Sequence, residues 1–334
     1  VTIAHPTARR PFGRSDVRLS AFGVGAGTLS NRDGSAAFSE MLLAAWEAGL
    51  RSFDSAPLYL DGGSERRLGE FLSPRSREEF VVSTKVGRLA NASPTEAIDD
   101  GRRFDYSASA VARSVEASRS RLGVEVIDVV YVHDVDRRMH GDDFERVVAT
   151  VIDETLPALR DLVDQGVVRA VGVSSRQPDV CRDIAERAPV DGFMMAGAYT
   201  LLNHDPLDDL FPFCLDHGLS VVVASPFNTG ILATGSADSS YDYGPPPAEV
   251  SQRVRSLVAA CADHGVPLPG AALAFPLRHP AVAGIVVGNR SAAELRSNLD
   301  ALSAEIPDEF WRRLVDEGLI PAGSVSQDGA PHEV

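Results

Sequence analysis

Cysteine is scarce and unpatterned: Cys181, Cys214 and Cys261 are the three in a chain of 334 residues. An odd number with no Cys-x-x-Cys or zinc spacing disfavours both a disulfide framework and a zinc site. The three read as small residues of a reduced interior. Long apolar runs are absent too. No stretch approaches the roughly 20 residues that span a bilayer. Residues 1–10 carry no signal-peptide core, so no membrane partner and a cytoplasmic location are expected. No block of like charge suggests an interaction tail. Basic residues are outnumbered, 32 against 47 acidic, for a formal net charge of -15. Such a surface repels phosphate backbones, which argues against nucleic acid as a partner.

What is present is ordinary globular material, 44% hydrophobic and 24% charged, long enough for two domains or one large barrel. A short polar hairpin is predicted over 12–20, followed by an apolar strand at 21–25. Short apolar runs then alternate with amphipathic stretches. Strands are predicted at 51–54, 80–85, 126–133, 167–173, 192–198, 219–224 and 282–287. Helices are predicted at 36–48, 64–72, 107–122, 144–165, 179–187, 206–217, 248–264 and 291–302, with a loop at 234–247. The run 126–133 is almost continuously apolar, as parallel strands buried on both faces are. Eight strand–helix pairs without a break in composition predict an α/β fold, a closed (β/α)8 TIM barrel. It is read as a single domain over 1–334, with the N-terminal hairpin and an extra C-terminal helix at 306–317. The polar tail from Ala322 is expected to be mobile.

Active sites of such barrels gather at the C-terminal strand ends. Asp54, Lys85 and His133 end the second, third and fourth predicted strands, and Tyr59 lies in the loop after Asp54. Singly, each has an ordinary reading: a helix cap, a solvated strand end, a structural histidine, a packing aromatic. Together, four proton-handling groups on consecutive junctions suit hydride transfer coupled to proton transfer. A tyrosine pKa near about 10 is too high for a base at neutral pH. A neighbouring ammonium favours the phenolate, so Lys85 is expected to lower it, with Asp54 holding Lys85 charged. His133 would orient the substrate oxygen. The hydride needs a cofactor, because no side chain accepts one.

Two other signals are set aside. Gly23-Val24-Gly25-Ala26-Gly27 lacks the Gly-x-Gly-x-x-Gly spacing of a dinucleotide loop and reads as strand-end turn glycines. His133-Asp134-Val135-Asp136, with His140 and Asp142-Asp143, puts a single ligand at a strand end, so no metal is expected.

At these residues the sequence resembles the aldo-keto reductases over nearly its whole length. Phe53-Asp54-Ser55-Ala56-Pro57-Leu58-Tyr59 with Gly63-Ser64-Glu65-Arg66-Arg67-Leu68-Gly69 resembles the family stretch bearing the catalytic Asp and Tyr. Ser83-Thr84-Lys85 resembles the lysine strand, and Arg121-Leu122-Gly123 with Asp128-Val129-Val130-Tyr131-Val132-His133 the stretch ending in the family histidine. Phe104-Asp105-Tyr106-Ser107, His133-Asp134 and Ala198-Tyr199-Thr200-Leu201-Leu202 resemble the L-fucose or D-threo-aldose 1-dehydrogenase group and the related pyridoxal 4-dehydrogenase. That resemblance implies oxidation of a cyclic hemiacetal to a lactone, with Tyr59 as base in oxidation and acid in reduction.

The resemblance also implies cofactor contacts: Gly25 and Ala26 toward the nicotinamide, with Asp54 beside them; Ser174 on the carboxamide; Ser225, Phe227, Gly230 and Leu232 over the pyrophosphate; and Gly288, Arg290, Glu294 and Asn298 at the adenosine end. Several positions depart from the family pattern. Ser175 replaces Asn, Ala196 replaces Gln, Ala224 stands where many members stack a Tyr on the nicotinamide, and Leu60 replaces the Gly after the catalytic Tyr. Glu294 would accept from a ribose hydroxyl and repel a 2′-phosphate, whereas Arg290 could pair with that phosphate. The ordinary reading of Glu294 is a first-turn glutamate favoured by the helix dipole. The balance favours NAD, with NADP open.

An aldose dehydrogenase is therefore expected, against a general aldehyde or ketone reductase, a pyridoxal dehydrogenase, or a cofactor-binding regulatory subunit like those of potassium channels. The expected partner is a small molecule, and the chain is a monomer or homodimer. Leu58, Leu60-Asp61 and the loops 88–105, 134–143 and 236–247 are candidates for substrate choice. Their many polar and few aromatic residues suit a hydroxylated ligand.

Overall fold

The computed structural model describes residues 5–27, 35–89, 103–236 and 239–324. Two short antiparallel strands, β1 (Arg9–Pro11) and β2 (Arg18–Ser20), come first. Eight parallel strands follow: β3 (Phe22–Gly25), β4 (Ser52–Asp54), β5 (Val81–Val86), β6 (Ile127–Val132), β7 (Val168–Ser175), β8 (Gly192–Ala196), β9 (Ser220–Ala224) and β10 (Val282–Gly288). They close into a barrel in chain order, with β10 pairing back onto β3. Closure leaves no sheet edge.

Around it run α1 (Ser35–Glu47), α2 (Gly63–Leu72), α3 (Ala108–Leu122), α4 (Arg137–His140), α5 (Phe144–Thr150), α6 (Leu156–Asp164), α7 (Pro178–Arg187), α8 (Leu210–His217), α9 (Ile231–Thr234), α10 (Ala248–His264), α11 (Leu268–Leu277), α12 (Ala292–Ser303) and α13 (Asp308–Asp316). Among the described residues no single helix is long and apolar enough to cross a membrane. Cys181, Cys214 and Cys261 are buried and unbridged.

Strand alternation makes two cores. Outward side chains such as Val82, Val130 and Val171 pack under the helices. Inward ones, including Val81, Val129, Tyr131, Ala170, Met194 and Val222, fill the bore. The hairpin plugs the far end of that bore. It was expected to be polar, yet Phe12, Val17 and Leu19 are buried there, with Phe12 edge-on to Tyr131 at 5.8 Å between centroids. Its strands also begin at Arg9 rather than at residue 12.

One further expectation is corrected, one helix was not foreseen, and the tail is described only at its start. The helix foreseen over 144–165 is broken into α5 and α6 by a π-helical turn, Val151–Thr155. Pro157 opens α6 and has no N–H to give the preceding turn, so the ladder shifts register there. α11 was not foreseen. It is apolar on every side and buried almost throughout, so it shows no amphipathic period. The tail foreseen as mobile from Ala322 begins with a 3-10 turn, Ala322–Ser324, whose Ser324 is buried; residues 325–334 lie outside the described residues.

Candidate active site

Register brings Asp54, Lys85 and His133 to the inward C-terminal ends of adjacent strands, and the loop after β4 carries Tyr59 to them. Asp54 pairs with Ser83 across β4 and β5, and Lys85 pairs with Tyr131 across β5 and β6. Lys85 lies two residues beyond Ser83, hence on the same inward face, and His133 lies two beyond Tyr131. The Lys85 ammonium donates to Asp54 Oδ2 at 2.6 Å and to the Ser55 carbonyl at 2.8 Å. Ser83 Oγ donates to Asp54 Oδ1 at 2.7 Å. Lys85 Nζ stands 5.1 Å from the Tyr59 ring centroid. The Tyr59 and His133 rings meet edge-on, 6.3 Å apart. Of 32 basic side chains in the sequence, Lys85 is the single lysine, a compositional signal that sequence reasoning missed.

Burial sets the charges. It works against the Lys85 ammonium, but Asp54 and Tyr59 outweigh it and hold Lys85 above its ordinary pKa. Burial pushes the Tyr59 phenol up, and Lys85 only partly opposes this, so the net direction is upward. That corrects the expectation of a lowered tyrosine: in the protein without cofactor, Tyr59 is a phenol at neutral pH. Burial takes His133 down to about 4, reinforced by Lys85 and Arg88 against the pull of Asp134. His133 is therefore neutral. Its Nδ1 is buried without a partner, and an orphaned N–H is the rarer state, which puts the ring proton on Nε2, the nitrogen 3.7 Å from Asp134 Oδ1.

Local structure explains the flanking motif. Glu65, fully buried on α2, accepts from Thr84 Oγ1 at 2.5 Å and from Arg121 Nε at 2.6 Å. One carboxylate thus ties α2 to β5 beside Lys85 and to the end of α3. Gly27 also escaped notice as a contributor: a Cβ there would meet the Tyr59 ring at 3.1 Å, so its small size lets the tyrosine lie against the first loop. Leu60, in place of the family glycine, adopts φ 54° and keeps the left-handed turn.

The cofactor candidates are spread along the rim. Gly25 pairs with Gly288 between β3 and β10, and the Ala26 amide donates to the Asp54 carbonyl at 2.8 Å. Ser174 is at the inward end of β7, whereas Ser175 turns away to donate to Asp136 Oδ1 at 2.7 Å. Ser225 is exposed with φ 54°, and Phe227 and Gly230 are half-buried in the loop beyond it. Leu232 is fully buried in the core, so it presents backbone only. Asn298 donates to Asn289 Oδ1 at 2.8 Å. Glu294 and Arg290 engage each other: Glu294 accepts from the Arg290 amide at 2.5 Å and from its Nη2 at 3.1 Å. This rim fits an extended dinucleotide. Small residues, Gly25, Ala196 and Ala224, end β3, β8 and β9 at this rim, and Ser291 caps the N-terminus of α12 with Arg290 exposed beside it.

Comparison with known proteins follows the same lines. The Aldo/keto reductase family model matches residues 21–317. A D-threo-aldose 1-dehydrogenase of a Pseudomonas species is 37% identical, over 91% of this chain and 95% of its own. A pyridoxal 4-dehydrogenase of Microbacterium luteolum is also 37% identical, over 93% and 98%. The solved structure of an aldo-keto reductase of Bacillus halodurans, in its holo form, superposes with a TM-score of 0.75 at 26% identity, covering 96% of this chain and 99% of that one.

Proposed function

The chain belongs to the aldo/keto reductase family, and on that premise we propose that it oxidises an aldose at the anomeric carbon to a lactone. It is an NAD(P)-dependent oxidoreductase of small carbonyl and alcohol compounds. The observation that carries the reading is the buried Lys85–Asp54 pair lying under Tyr59 beside a neutral histidine. The whole chain acts as one barrel domain.

In oxidation, the anomeric hydroxyl gives its proton to the Tyr59 phenolate as the anomeric hydrogen leaves with its electron pair. When bound, the oxidised nicotinamide supplies the acceptor for that hydride and a positive charge. Lys85, kept charged by Asp54, stabilises the phenolate while Tyr59 is deprotonated. His133 donates from Nε2 to the same substrate oxygen and fixes its direction. In reduction the Tyr59 phenol returns the proton, as reversibility requires.

Residues along the β3, β7, β9 and β10 rim would hold the cofactor: Gly25, Ala26, Ser174, Ser225, Phe227, Gly230, the Leu232 backbone, Gly288, Arg290, Glu294 and Asn298. The Arg290–Glu294 pair spends the arginine's charge internally, which weakens its pull on a 2′-phosphate and supports NAD.

Identity to the aldose enzyme supports the sugar, and equal identity to the pyridoxal enzyme supports a second reading, oxidation of pyridoxal. The test is nicotinamide absorbance with purified protein, NAD or NADP, and a panel of aldoses, simple aldehydes and pyridoxal. Aldose-dependent reduction of NAD is expected. A kcat/KM for pyridoxal exceeding that for every aldose would replace the first reading with the second.

A further inference from the structure

Beside the tetrad stands an ion pair that the proton chemistry does not use. Arg88, two residues past the end of β5, pairs through Nη1 with Asp134 Oδ2, and Asp134 directly follows His133. Both side chains are part-exposed, 22% and 18%. They act on the reacting groups themselves: Asp134 on Tyr59 and His133, Arg88 on His133. We propose that this pair is a substrate subsite that reads the hydroxyl on the carbon next to the reacting one. Its ligand class is then a 2-hydroxy carbonyl compound or the corresponding cyclic hemiacetal, which rests on the oxidoreductase reading above.

The surroundings hold Asp134 in place at a cost. Its backbone is left-handed, φ 56°, a region that side chains with a Cβ adopt infrequently. The Tyr106 hydroxyl donates to the His133 carbonyl at 2.7 Å, and a His140 ring nitrogen lies 2.9 Å from the Asp134 carbonyl. Tyr106 reaches there because residue 87 is glycine with φ 93°, where a Cβ would meet the ring at 2.2 Å. A part-exposed ion pair contributes little to folding. The arrangement thus gains little for folding, and a ligand role accounts for it better.

Its chemistry is selective. A hydroxyl both donates and accepts, so it can give to the Asp134 carboxylate while taking from the Arg88 guanidinium. The carboxylate is held near the oxygen that His133 would orient, with Oδ1 3.7 Å from Nε2. An anionic substituent meets Asp134 and finds the charge of Arg88 already spent, so neutral polyols are favoured over sugar acids or phosphates. A site built to bond a hydroxyl rejects the analogue lacking it by up to about 10⁴-fold.

The experiment compares matched pairs: an aldose with its 2-deoxy counterpart in oxidation, and lactaldehyde with propanal in reduction. Wild-type protein is set beside Asp134→Asn and Arg88→Met. The readout is the hydroxy-to-deoxy ratio of kcat/KM, in which any loss common to both substrates, such as altered electrostatics at His133, cancels. The wild-type ratio should exceed about 10-fold and fall by about 10-fold or more in each variant. An unchanged ratio in both variants, or a wild-type ratio near one, overturns the subsite. Collapse of the lactaldehyde ratio with no aldose oxidised at all would uphold the subsite while removing the aldose reading.

Discussion

Lysine at position 85, in a chain that otherwise uses arginine for every basic side chain, marks a place where a guanidinium does not serve. A compact ammonium fits between Asp54 Oδ2 and the Ser55 carbonyl under the tyrosine ring; a planar fork does not. Because burial holds the Tyr59 phenol above its ordinary pKa, oxidation needs the minority phenolate. Its kcat/KM should climb with pH through the neutral range, about tenfold per unit, while reduction stays level there. Lys85→Met removes the residue that opposes burial at Tyr59 and should displace the oxidative profile to still higher pH. Tyr59→Phe should reduce turnover by at least about 10³-fold while cofactor affinity, read by fluorescence titration, stays near wild type. Wild-type turnover in that variant would remove the proposed base.

Between elements, the buried carboxylate of Glu65 links α2, β5 and α3. Removing one partner of a buried pair leaves the other unmatched, so Glu65→Ala should cost about 3 kcal/mol in urea unfolding. A loss below about 1 kcal/mol would mean the pair behaves as a surface contact. At the start of α12 the prediction concerns choice of cofactor. Glu294→Gln frees Arg290 from its carboxylate partner and should improve the NADP-to-NAD ratio of kcat/KM by about tenfold. If the ratio does not move, the pair is only a helix cap. Legibility at this scale followed pattern. Helices with a polar face were readable, α11 was not, and the π turn before α6 depended on what Pro157 does to a ladder that periodicity treats as continuous.

Among the described residues three histidines are held neutral by their surroundings, His133 buried and His204 and His279 half-buried. Burial brings His133, His204 and His279 each to about 4. The unfolded chain binds these protons near the ordinary value of about 6.5, so the stabilisation is complete above that pH and is lost as pH falls toward 4. Each can contribute a slope of up to about 1.4 kcal/mol per pH unit in that window. Urea midpoints should therefore drop steadily between pH 6.5 and 4.5, and His204→Gln with His279→Gln should flatten the fall. A flat wild-type curve over that range would contradict the burial of these rings.

Strand count, strand order and the placing of Asp54, Lys85 and His133 at consecutive strand ends, with Tyr59 in the loop between, were decided by the sequence alone, because apolar runs alternating with amphipathic stretches admit few architectures. Tertiary structure decided the rest. Only packing distances balance burial against a neighbouring charge, which turned the expected lowering of Tyr59 into a rise. Only the three-dimensional course of the chain brought Glu65 to Arg121 and Arg88 to Asp134, since a side chain's partner across the fold is set by distance in space, which linear order does not encode.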